Sequence, residues 1–309
     1  MEIQQANALT TRQGVTADLY RRFVAYLDTN PSTIVTYTKS LKRFFNYLAL
    51  EDITEPRRED VLAYRNWLRD NGLKPTTIQN YITAVRLFFA WTAQESLYPN
   101  VAERVKGAKI DRDHKKDYLT ASQIKAVLSE IKRDKLQGLR DYAIVTLIVT
   151  CGLRTIEVVR ADVGDLRPVG GFTALYVQGK GREEKTEYVK ISMFVEAAIR
   201  AYLKVRGKVS ATDPLFVSLS NNSEGKRLST RTVSGIAKSN MRSAGYDSAR
   251  LTAHSLRHTA ITLSLLGGED ITEVQKFARH ANMSTTMIYN HAVDRARNTC
   301  SDTISAAIF

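Results

Sequence analysis

Six side chains that can act on a phosphodiester follow one another through the second half of this 309-residue chain. They are Arg154 in Cys-Gly-Leu-Arg, Lys180 in Gly-Lys-Gly, His254 and Arg257 in His-Ser-Leu-Arg-His, His280 in Ala-Arg-His and Tyr289 in Met-Ile-Tyr. Two guanidiniums can grip one phosphate through paired charge-assisted hydrogen bonds. A lysine and histidines can move protons, and a tyrosine hydroxyl can serve as nucleophile. Together they are equipped to open a phosphodiester without a metal ion.

Spacing adds to residue type. Arg154 ends an apolar stretch and has Glu157 three residues on, so the carboxylate can hold its fork; a plain surface Arg–Glu pair has the same spacing. His254 and Arg257, at i and i+3, can point at one small target. His258, at i+4 from His254, raises a zinc site, but no nearby cysteine or well-spaced carboxylate completes a ligand set. No metal or other cofactor is therefore expected. Four of the five histidines, His254, His258, His280 and His291, fall within 38 residues.

These residues need elements to carry them. The first hundred residues have helical spacing and almost no strand signal. Leu19, Phe23 and Leu27 predict a helix over about Thr16–Asp28, and Asn30-Pro31 starts a second with Tyr37, Leu41, Phe44, Phe45 and Leu48 on its apolar face. A third runs from about Arg58 to Asn71, closed by Gly72, and a fourth begins near Pro75-Thr76. The polar faces of the second and fourth carry Thr36, Lys39, Arg43, Thr77, Asn80 and Arg86, which can meet phosphates and base edges if a helix lies in the major groove. For any one of them taken alone, a solvated helix face is the simpler account.

Periodicity breaks between Tyr98 and Asp117, giving a linker at 108–117 between a helical domain at 1–107 and a second domain at 118–309. Thr120 caps a further helix, and the apolar run Tyr142–Leu153 is too short to span a bilayer, so it predicts a buried helix. Strand signals start only after Gly170-Gly171. Phe172–Gln178 and Lys185–Ser192 predict a β-hairpin with Lys180 at its glycine-rich tip. Helical patterns resume from Phe194. The fold class is thus multidomain and mainly α: an all-α first domain, then a mostly α second domain with a small antiparallel sheet (α+β).

Lys and Arg number 45 against 32 Asp and Glu, a formal charge of +13, and 43% of the residues are hydrophobic, enough for two cores. Residues 1–107 carry +3 and residues 118–309 carry +9. Such a balance favours a polyanionic partner, although anionic-membrane binders and other basic enzymes share it. Two cysteines, Cys151 and Cys300, are too few for a disulfide framework. The first residues show no basic n-region or apolar h-region, so a cytoplasmic location is expected.

With its motifs in place, the chain resembles the tyrosine recombinases (phage integrases), of the simple Xer- or Cre-like type without an arm-binding domain. The resemblance rests on Cys-Gly-Leu-Arg-Thr-Ile-Glu-Val (151–158), Val-Gln-Gly-Lys-Gly (177–181), His-Ser-Leu-Arg-His-Thr (254–259) and Ala-Arg-His-Ala-Asn-Met-Ser-Thr-Thr-Met-Ile-Tyr (278–289). It implies a SAM-like helical core-binding domain and a catalytic domain ending in a tail helix. In that chemistry Tyr289 attacks the scissile phosphate, leaving a 3′-phosphotyrosyl link and a free 5′-hydroxyl. Arg154 and Arg257 hold the non-bridging oxygens, Lys180 protonates the leaving oxygen, His254 assists proton transfer and His280 donates to the phosphate.

The resemblance further implies a homotetramer on two double-stranded DNA sites with short inverted-repeat cores, exchanging strands through a Holliday junction, with or without an accessory protein or second recombinase. Ile304, Ala307 and Ile308 would give the tail its apolar face, for a neighbouring subunit or for the tail's own domain. Ala278-Arg279 stands where relatives often have Leu-Gly and adds a cation; Lys185 is a second candidate for the general acid. A nicking-closing enzyme like type IB topoisomerases would use the same tyrosine chemistry, and a DNA-binding regulator would keep the fold without it.

Overall fold

Asn30 and Pro31 show how local sequence sets the elements. The Asn30 side chain accepts a hydrogen bond from the Thr33 backbone N–H, and Pro31 fills the first helical turn, where its missing N–H costs nothing. The helix they start, α2 (Pro31–Leu50), is one of four among the described residues of the first unit, with α1 (Ala17–Tyr26), α3 (Arg58–Asp70) and α4 (Pro75–Gln94). The computed structural model describes residues 17–109, 117–179, 182–289 and 299–309. The chain divides into two compact units, Met1–Arg112 and Asp113–Phe309.

The first unit's core is aromatic. Phe44 lies 5.0 Å from Tyr64 and 5.9 Å from Phe89, ring centre to ring centre, and Phe45 lies 5.2 Å from Phe88. Such edge-to-face contacts add to the gain from area burial. Thr36, Lys39 and Arg43 share one stripe of α2, at i, i+3 and i+7. Thr36 and Lys39 are exposed, whereas Arg43 is half-buried with its guanidinium 5.2 Å from the Trp67 ring centre. On α4, Thr77 and Asn80 lie near one another, while Arg86, nine residues after Thr77, projects from the opposite side.

In the second unit, α5 (Ala121–Glu130) opens on a capping box between Thr120 and Gln123. Next comes α6 (Leu136–Cys151), buried on every side from Ala143 to Val149 and packed against α8 (Met193–Arg206) and α10 (Ala253–Leu266). Gly152 ends α6 in the left-handed region, at φ 58°, and a Cβ there would sit 3.0 Å from the Phe277 ring. Only glycine makes this turn freely, and the turn delivers Arg154 to the start of α7 (Thr155–Arg160).

A three-stranded antiparallel sheet follows, in the order β1 (Leu166–Val169), β2 (Phe172–Val177), β3 (Glu187–Ile191). Strand β1 was not expected, because Pro168 lacks a ladder donor; as an edge strand it tolerates proline. Gly170 and Gly171, at φ 51° and 89°, make the turn into β2. The last strand begins at Glu187, two residues later than predicted. Lys185 is drawn away to Asp162 Oδ2 at 2.6 Å and Asp165 Oδ2 at 2.5 Å. The remaining described helices are α9 (Thr230–Ser243), α10, α11 (Ile271–Ala278), a helical stretch at 283–289 and a C-terminal helix, Cys300–Ile308. The predicted linker falls mostly outside the described residues.

Candidate active site

The site forms where four element ends meet: the start of α7, the first turn of α10, the end of α11 and the stretch 283–289. Arg154 is the N-cap of α7. Its backbone N–H donates to Glu157 Oε2 at 2.7 Å and its Nη1 to Glu157 Oε1 at 2.8 Å, while Nη2 donates to the Arg279 carbonyl at 2.9 Å. Glu157 is fully buried. Burial alone raises its pKa, but the Arg279 and Arg154 partners outweigh it and hold the carboxyl below the usual range.

Arg257, in α10, is 1% exposed and donates Nη1 to the Gly152 carbonyl and Nη2 to the Ala278 carbonyl. Burial, then the charges of Arg154 and Arg279, push its pKa down to about 9, so it stays cationic at neutral pH. Each guanidinium keeps N–H groups beyond those used on carbonyls, since arginine has five.

His280 follows α11. Its Nδ1 lies 2.9 Å from the Thr286 hydroxyl, and burial together with Arg257, Arg154 and Arg279 lowers its pKa to about 4. The ring is therefore neutral near pH 7. Tyr289 stacks on it at 5.9 Å with 22° between the planes, and meets His258 edge-on at 4.7 Å. Burial raises the pKa of the 3%-exposed Tyr289, and the charges of Arg257 and Arg154 pull it the other way. The two arginines thus act directly on the phenol.

His254 is exposed on the first turn of α10 and its charge is felt by His280. His254 and His258 do not converge, since His258 is buried between Tyr118 and Tyr289. Lys180 lies outside the described residues. Its neighbour Gly179 accepts a 3.0 Å hydrogen bond from Arg160 and lines an open cleft of about 560 Å³ with Arg154, Arg182, Lys276, Arg279 and His280. Of the predicted residues, Arg154, Arg257, His280 and Tyr289 come together, with His254 at the edge.

Three participants carry little signal in the sequence. Thr286 partners His280 from three residues before Tyr289, one helical turn away. His258 supplies the ring that Tyr289 packs against. Arg279, at the wall of the cleft, turns its guanidinium inward and places Nη2 2.9 Å from Glu157 Oε2.

Residues 117–295 match the phage integrase family, and residues 20–96 match the SAM-like N-terminal domain of phage integrases. The chain belongs to the phage integrase family. Among its relatives, the tyrosine recombinase XerC of Caldanaerobacter subterraneus is 30% identical over 89% of this chain and 83% of its own length. The tyrosine recombinase slr0733 of Synechocystis is 31% identical, covering 84% of this chain and 86% of that protein. The fold is that of XerH recombinase in a post-cleavage complex with its difH substrate, with a TM-score of 0.71 and 20% identity over 87% of this chain and 80% of XerH. This phage integrase is a tyrosine recombinase, an enzyme that cleaves and rejoins DNA. Among its described residues no helix is long and apolar enough to cross a membrane.

Proposed function

We propose that this recombinase cleaves DNA by in-line attack of Tyr289, leaving a 3′-phosphotyrosyl link and a free 5′-hydroxyl. The observation that carries this is the position of Tyr289: stacked on His280, beside His258, with the charges of Arg257 and Arg154 acting on its hydroxyl. Arg154 and Arg257 bind the non-bridging oxygens and stabilise the charge that grows on them in the transition state. With Nδ1 accepting the Thr286 hydroxyl proton, neutral His280 carries its own proton on Nε2 and donates it to the phosphate in a hydrogen bond. His254 exchanges a proton with the tyrosine, and Lys180 protonates the departing 5′-oxygen. The alternative acid, Lys185, is engaged by two carboxylates.

Because Tyr289 and Arg257 are almost fully buried, DNA must uncover them, and a movement of residues 283–289 gates attack. The phosphotyrosyl bond conserves the energy of the phosphodiester, so a 5′-hydroxyl from another strand reseals it without ATP. Exchange proceeds through a Holliday junction in a homotetramer on two short inverted-repeat core sites. Its support is the C-terminal helix, where Ile304, Ile308 and Phe309 are 58%, 67% and fully exposed, an apolar face suited to a neighbouring protomer. The helical domain at 1–107 grips DNA with α2 and α4, in the cytoplasm, for integration and excision of a mobile element or for dimer resolution.

The test is to incubate the protein with DNA from either side of its own gene, quench with detergent and look for a covalent adduct. The parent is expected to form it and Tyr289→Phe to form none. An adduct persisting in Tyr289→Phe would assign the nucleophile elsewhere.

A further inference from the structure

Three guanidiniums, from Arg154, Arg257 and Arg279, share the site with one buried carboxylate, Glu157. Arg154 and Arg279 each take one of its oxygens, at 2.8 Å to Oε1 and 2.9 Å to Oε2. Arg279 cannot easily turn outward. Its side chain is 7% exposed, and its guanidinium also donates to the Phe277 carbonyl at 2.8 Å and the Gly152 carbonyl at 3.1 Å. Its own carbonyl accepts from Arg154 Nη2 at 2.9 Å. The residue therefore touches Arg154 twice over, through the backbone and through the shared carboxylate.

The backbone sharpens the point. Arg279 ends α11 in the left-handed region, at φ 52° and ψ 48°, where a Cβ is unfavourable and glycine is at ease. A glycine would hold this turn with less strain, so what the position gains from arginine is the side chain. Charge counting says what that is. With Glu157 paired to Arg154 alone, the pair is neutral and Arg257 is left as the one excess cation of the three. With Arg279 present, the four groups sum to two positive charges, which match the two negative charges of a phosphorane-like transition state.

We propose that Arg279 is a positioning residue for strand cleavage, which takes one oxygen of Glu157 and orients Arg154, keeping the charge of Arg154 available to the scissile phosphate. This rests on Arg154 being a phosphate clamp.

The experiment measures single-turnover cleavage and salt-dependent binding on the DNA that yields the adduct, with thermal melts for every variant. Arg279→Gly is expected to melt cooperatively, to bind with the parent's salt dependence and to cleave about a hundredfold more slowly, as a misplaced clamp does. Adding Glu157→Gln to Arg279→Gly is expected to restore most of the rate, because no carboxylate is left to compete for Arg154. Arg279→Lys, which keeps the charge, is expected to cleave faster than Arg279→Met.

Parental cleavage by Arg279→Gly would overturn the proposal, as would a double variant that folds and stays as slow as the single one. A salt slope reduced by about 0.9 would make Arg279 a direct phosphate contact instead. If the double variant does not fold, equal rates for Arg279→Lys and Arg279→Met would overturn it. Arg154→Ala separates the two layers: cleavage at the parent rate would remove the clamp and this inference with it, whereas a dead Arg154→Ala beside a normal Arg279→Gly would remove this inference alone.

Discussion

The two units treat polar groups in opposite ways. In the first, the buried polar side chains among those described are Ser40 and Thr92, and the rest of the core is aromatic and aliphatic. In the second, Arg140, Asp141, Glu157, Asp165, Arg257 and His258 are all buried. A buried charge costs several kcal/mol unless partners compensate it. The Arg140–Asp141 pair, 2.8 Å apart and tied to the Val217 carbonyl, is balanced in charge. The cluster around Glu157 holds more cations than anions, an imbalance that suits the phosphate binding proposed above. A unit that grips a polyanion from outside can keep a plain core, but one that stabilises a transition state must bury charge.

Matched substitutions in the two units test that contrast most strongly. Arg257→Ala orphans the Ala278 carbonyl, leaves the Gly152 carbonyl to Arg279 alone and removes a proposed phosphate clamp. It is expected to destabilise the second unit by about 1–3 kcal/mol in urea unfolding and to abolish adduct formation. Phe44→Ala leaves a cavity among rings and is expected to cost the first unit about 3–5 kcal/mol. Calorimetry and limited proteolysis should find each loss in its own unit. Equal shifts in both units from either change would break the comparison.

A smaller effect should appear with pH. His280 titrates at about 4 in the folded chain against 6.5 ordinarily, through burial first and then the arginine charges. Between those values the unfolded chain binds more protons, so this group's contribution is complete above about pH 6.5 and is lost as pH falls toward 4. Glu157 is held below its ordinary 4.5, so its own contribution is lost only at lower pH. Residues 1–112 contain no histidine. From pH 6.5 to 4.5 the second unit's melting temperature is therefore expected to fall while the first unit's holds, and His280→Gln should weaken the trend. A parallel fall in both units would contradict it.

Much of this was legible in the sequence, for identifiable reasons. Helices α2, α4 and α5 announce themselves through Asn30-Pro31, Pro75 and Thr120, local signals that tertiary packing does not override. Arg154, Arg257, His280 and Tyr289 stood out only as an ordered set of phosphate-competent side chains, each a weak signal alone, with Tyr289 one of fourteen tyrosines. Strand β1 was hidden by Pro168, whose acceptability depends on an edge position that only the sheet defines. The inward turn of Arg279 was hidden too, because its partner Glu157 lies 122 residues earlier in the chain. Surface residues gave least: Arg86 was grouped with Thr77 and Asn80 on α4, yet it faces the other way.

That surface is where the comparison can be sharpened with the smallest change. Lys39 is exposed on α2, in the stripe it shares with Thr36 and Arg43. Arg43 is a poor probe, because its stem and guanidinium pack over Trp67 and truncation would cost packing as well as charge. Lys39→Ala touches no core residue, so stability should move by less than about 0.5 kcal/mol. If α2 faces the DNA backbone, one lost phosphate contact lowers the slope of log affinity against log salt by about 0.9 and weakens binding at every sequence alike. Cleavage by DNA-bound protein at saturation should be unchanged, since the chemistry lies in the other unit. An unaltered salt slope would take α2 off the phosphate backbone and move the grip of the first unit to another face, such as that of Arg86 on α4.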